Sequence, residues 1–101
     1  RLTDVSRYWT TLSEETLRQR PAPGKWSKKE ILGHLVDSAQ NNIRRLTVGQ
    51  YEAGVRIVYD QDAWVRAADY QTYHSDELLQ LWILLNQHFI RVMEHLPEEK
   101  Y

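Results

Sequence analysis

The chain has 101 residues, enough for one domain and not two. Hydrophobic residues make up 42% and charged residues 27%, a globular balance that argues against disorder. With 13 Lys and Arg against 14 Asp and Glu the formal charge is −1, which excludes the strong basic footprint of a nucleic-acid or anionic-membrane binder.

The first segment reads as a helix. Leu2, Val5, Trp9 and Leu12 fall on one seam with helical spacing. The chain starts without Met inside this apolar pattern and stops just after a helix ends, so we expect a single domain over residues 1–101 that is cut at both ends. Ser13-Glu14-Glu15-Thr16 is a second helix-start signal, and Pro21-Ala22-Pro23-Gly24 forces a loop.

The next helix should begin after Ser27 and run to about Thr47, with Gly49 near its end. Ser27 and Glu30 have the S-x-x-E spacing of a capping box, and Trp26 and Ile31 stand where a hydrophobic staple belongs. At about 100° per residue, Ile31, Leu32, Leu35, Val36, Ala39, Ile43 and Leu46 share an apolar face. His34, Ser38, Asn41 and Arg45 lie on one shoulder of it, where a helix would line a cleft, and Asn42 projects within it.

Residues 54–73 read as an irregular crossover. Val55-Arg56-Ile57-Val58-Tyr59 is extended in character, and Asp60 can cap a short helix carrying Trp64, Val65 and Ala68. The last helix starts near Ser75, with Asp76 and Glu77 favourable to its dipole. Leu78, Trp82, Leu85, Phe89, Val92 and Leu96 form an unbroken seam, and Pro97 ends it. A second seam of Leu79, Ile83, Ile90 and Met93 lies about 100° around the same helix. Two seams are more than neighbouring helices one and two can cover, so we expect a fourth helix or a second copy of the chain against this one. The class is all-α and bundle-like.

Arg20-Pro21-Ala22-Pro23-Gly24-Lys25-Trp26-Ser27, followed by Ile31-Leu32-Gly33-His34-Leu35-Val36-Asp37-Ser38, resembles the DinB-like (DinB/YfiT) superfamily. Ile57-Val58-Tyr59-Asp60-Gln61-Asp62-Ala63-Trp64-Val65 resembles the crossover of one branch of it. The resemblance implies an up-down-down-up four-helix bundle, often a homodimer, here with three long helices. It implies a metal-dependent hydrolase or thiol S-transferase acting on a small molecule. The implied cofactor is a divalent metal, Zn²⁺ or Ni²⁺, held by three histidines. His34 matches the first; the other two belong to an H-x-x-x-H pair on a fourth helix that this chain does not contain. The metal site is therefore expected to be incomplete in these residues. Asp37, Asn41 and Arg45 are the implied substrate contacts.

Each of these residues also has a plainer reading. A single helix-shoulder histidine is ordinarily a hydrogen-bonded structural residue, since zinc needs three or four ligands. Asp37 would be an exposed acid with Asn41 one turn on. His88 and His95 are seven residues apart, about 10 Å along the axis, too far for one ion, and read as solvated. His74 reads as a loop or cap residue. Trp9 and Trp82 sit on core seams and Trp26 in the staple, which leaves Trp64 for a cleft and argues against a nucleic-acid stacking platform. Asp60-x-Asp62 lacks the glycine and distal Glu of a calcium loop. The absence of cysteine removes disulfides, thiolate ligands and a thiol nucleophile, and no G-x-S-x-G or S-x-x-K motif replaces them. No membrane partner is expected, because the longest apolar run, residues 81–85, is too short to span. A cytoplasmic location follows as an expectation from the missing cysteines and leader. The alternative to an enzyme is a dimerising helical scaffold without metal chemistry.

Overall fold

The computed structural model describes residues 2–54 and 56–97. Arg1, Val55 and residues 98–101, and the side chains of Leu2 and Thr3, lie outside the described residues. Among the described residues every regular element is helical: α1 (Leu2–Thr11), α2 (Glu14–Arg18), α3 (Lys28–Val48), α4 (Gln61–Ala68), a 3-10 turn (Tyr70–Thr72) and α5 (Ser75–Glu94). The first segment is thus a ten-residue helix and a short one, while α3 and α5 are the long members, and α5 packs chiefly on α3. The expected short helix in the crossover is α4, capped by Asp60, whose Oδ1 accepts from the Ala63 N–H at 3.0 Å.

The start of α3 follows from its cap. Ser27 Oγ accepts from the Glu30 N–H (3.1 Å), and Glu30 Oε1 accepts from the Ser27 N–H (3.0 Å), so two backbone donors of the first turn are satisfied reciprocally. The cap also joins three elements. Arg20 grips both Glu30 carboxylate oxygens at 2.9 Å each, and Ser27 Oγ donates to Gln71 Oε1 at 2.7 Å. Of the expected staple pair, Ile31 is exposed, and the Trp26 ring packs against His34, with centroids 5.1 Å apart.

The core comprises Trp9, Leu17, Leu32, Val36, Val65, Tyr70, Leu78 and Leu79. Two residues of the expected α3 face, Ile31 and Leu35, are exposed, at 46% and 39%. The buried face of α3 is rotated toward Lys29, Gly33, Asp37 and Asn41, because α4 and the 3-10 turn cover that side. Lys29 is fully buried; its Nζ donates to Glu14 Oε2 at 2.8 Å and to the Gln71 carbonyl at 3.3 Å, which compensates the loss of water. Asn42, expected within the apolar face, is exposed, and its Oδ1 accepts from Arg45 Nη1.

Candidate functional site

A helix-interior glycine and a left-handed turn assemble the site. Asp69 turns the chain at φ 49° and delivers Tyr70 across the middle of α3. There Gly33 leaves the room: a Cβ on it would stand 2.0 Å from Tyr70 Cδ2. The Tyr70 hydroxyl then donates to Asp37 Oδ1 at 2.5 Å. Asp37 is only 1% exposed, so it is not the exposed acid of the plainer sequence reading.

His34 lies one turn before Asp37, half-buried. Its Nδ1 and Asp37 Oδ2 are buried, and neither has a hydrogen-bond partner; no other buried side-chain nitrogen or oxygen among the described residues is in that state. Burial pushes the Asp37 carboxyl up from its ordinary range, against the Tyr70 hydrogen bond and the nearby His34, which both pull it down. Tyr70 is raised too, first by burial and then by donating to Asp37. Asp37 and Tyr70 border a cleft of about 580 Å³ whose walls include Gln40, Trp64 and Ala67. Trp64 meets Tyr59 edge-on, with centroids 5.4 Å apart, and Tyr59 Oη pairs with Ser38 Oγ at 2.9 Å.

Asn41 and Arg45 are engaged elsewhere. The buried Asn41 donates through Nδ2 to the Asp37 carbonyl, and Arg45 ties the crossover to α3 by two bonds to the Ile57 carbonyl, at 3.1 and 2.8 Å. His88 and His95 are exposed; His95 Nδ1 lies 2.8 Å from the Arg91 carbonyl. His74 occupies the N-cap position of α5 without a side-chain cap bond.

Sequence reasoning missed Tyr70, Gly33 and Lys29. Gly33 did carry a signal. A glycine inside a helix costs roughly 1 kcal/mol relative to alanine, and a close approach by another group is one reason to keep it. At the site, the residues of a type that could hold a metal ion are His34 and, one turn on, Asp37. No group of three His, Asp or Glu among them is placed to hold one. The described residues alone therefore do not fit a metal centre.

The fold and site define an all-α bundle protein in which Tyr70 of the 3-10 turn meets the buried Asp37 of the longest helix, one turn from the half-buried His34. The chain belongs to the DinB superfamily, whose sequence profile matches residues 2–101. Among solved structures it is similar to YfiT from Bacillus subtilis, described as a probable metal-dependent hydrolase with an unusual four-helix bundle topology. The TM-score is 0.85 at 20% identity, covering 99% of this chain and 58% of that one. The likeness establishes the four-helix-bundle fold, of which this chain spans somewhat over half the length of that relative. Comparison with curated proteins found no significant match. No helix among the described residues is long and apolar enough to cross a membrane.

Proposed function

We propose that His34, Asp37 and Tyr70 are this chain's part of an active site for hydrolysis or thiol S-transfer on a small-molecule substrate. The observation that carries this reading is the pair of unpartnered buried atoms, His34 Nδ1 and Asp37 Oδ2. Each such atom costs about 1–3 kcal/mol, and buried polar groups left in that state call for a reason. The reaction class follows from family membership and from the description of YfiT, not from the cluster itself. A divalent ion, Zn²⁺ or Ni²⁺, belongs to the same proposal, with His34 as one donor and the others outside the described residues. Asp37 and Tyr70 face the substrate side through the cleft they border, whereas Asn41 and Arg45 hold its framework through backbone carbonyls.

The test is a panel of small esters, amides and thiol acceptors assayed with added Zn²⁺ or Ni²⁺. Turnover of one class is expected, with a loss on the order of a hundredfold or more in His34→Ala and none in His88→Ala. Undiminished activity in His34→Ala, or no turnover of any class, contradicts the reading.

A second reading has its own observation. Ile90 and Met93, on one face of α5, are 44% and 41% exposed, a surface suited to another copy of the chain. On that reading the protein is a dimerising scaffold, and the same panel returns no activity while the protein self-associates.

A further inference from the structure

The two unpartnered atoms of the site are complementary. A carboxylate oxygen accepts; an imidazole Nδ1 donates in one of the two neutral tautomers. The residues are three apart on α3, which places their side chains next to each other on the helix surface. His34 is also among the groups that pull the Asp37 carboxyl down, after burial and Tyr70 in size. The carboxylate is not free to turn away, because Tyr70 holds Oδ1 at 2.5 Å and Tyr70 is itself seated in the space that Gly33 leaves. On the imidazole's side, the Trp26 ring packs at 5.1 Å and limits its orientations. In the opposite tautomer the Nδ1 lone pair would sit near an unpartnered carboxylate oxygen, both of them buried acceptors without a donor.

We infer that Asp37 is a positioning residue: its Oδ2 accepts a hydrogen bond from His34 Nδ1–H and thereby fixes the tautomer whose lone pair is on Nε2. That bond removes two unpartnered buried atoms at once. The resulting order is Tyr70 Oη–H to Asp37 Oδ1, then Asp37 Oδ2 to His34 Nδ1–H. Nε2 is left as the nitrogen available to accept a proton or an electrophile. This inference rests on the proposed function only for what Nε2 does next; the tautomer itself stands on the geometry.

The experiment reads the tautomer of His34 by long-range ¹H–¹⁵N correlation in metal-free protein at about pH 8.5, above the usual histidine range. The wild type is expected to show Nδ1–H as the majority form, the reverse of free histidine. In Asp37→Asn the Tyr70 hydroxyl claims the amide oxygen and leaves the amide N–H groups facing His34. The ratio should then move toward Nε2–H by about ten- to a hundredfold. A wild-type majority of Nε2–H overturns the inference, as does an unchanged ratio in a folded Asp37→Asn. If that variant does not fold, the wild-type spectrum still decides. An Nε2–H wild type whose activity depends on His34 rejects this inference and keeps the proposed function; an Nδ1–H wild type whose activity ignores His34 does the opposite.

Discussion

A methyl group on residue 33 would overlap the Tyr70 ring, with three ring carbons between 2.0 and 2.5 Å away. Two effects of Gly33→Ala therefore oppose each other. Helix propensity alone stabilises the alanine variant by roughly 1 kcal/mol. Overpacking against a buried ring costs about 1–3 kcal/mol, and displacing Tyr70 also removes the hydroxyl from Asp37, leaving a second carboxylate oxygen unpartnered. The larger effect wins, so Gly33→Ala should lower stability in urea unfolding; a stabilised variant would show that Tyr70 does not need this space. At the same scale, Lys29 shows what sequence hides. Nothing local marks a lysine for complete burial, because its partners, Glu14 and the Gln71 carbonyl, are 15 and 42 residues away.

The α3 helix was legible in its start and less so in its facing. The Ser27–Glu30 spacing carries its own physics, so the capping box was readable from four residues. The burial of Asp37 and the exposure of Ile31 were not, because both depend on where α4 and the 3-10 turn come to rest. The chemistry of the site was legible only in part: His34 and Asp37 from the motif, Tyr70 not at all. Because the cap joins three elements, its ionisation matters. The Arg20 guanidinium, ahead of the Ser27 backbone N–H, holds the Glu30 carboxyl below its ordinary range; Lys29, then Ser75, does so for Glu14. A carboxyl depressed in the folded state stabilises above its unfolded value, and that contribution is lost as pH falls through the folded one. Stability should therefore drop as pH is lowered below about 4.3, the ordinary glutamate value. Thermal melts from pH 7 to pH 3 should show this drop, and Arg20→Gln should make it shallower. A drop of equal size in Arg20→Gln would mean that the Arg20–Glu30 pair contributes nothing to it.

The whole molecule measures 47 × 28 × 17 Å, and its shortest dimension is less than two helix diameters of about 10–12 Å. A body that thin cannot cover its helices on both sides. The second seam of α5 shows the consequence, since Leu79 is 5% exposed but Ile90 and Met93 are 44% and 41% exposed. A groove lined by Val5, Tyr8, Ile31 and Leu35 is apolar as well. At micromolar concentration the chain is predicted to sediment as a dimer or larger species; a clean, folded monomer would show that these surfaces are tolerated in water. The proposed role of His34 as the reactive group of the molecule is decided by titrating Ni²⁺ or Zn²⁺ while observing the imidazole resonances of all four histidines. His34 is predicted to respond first, through Nε2, with the response of the other three unchanged in His34→Ala. With His34 the one histidine of the site among the described residues, tight binding should stay well below one ion per chain. A response at His88 or His95 with His34 silent would mean that His34 is not the reactive group.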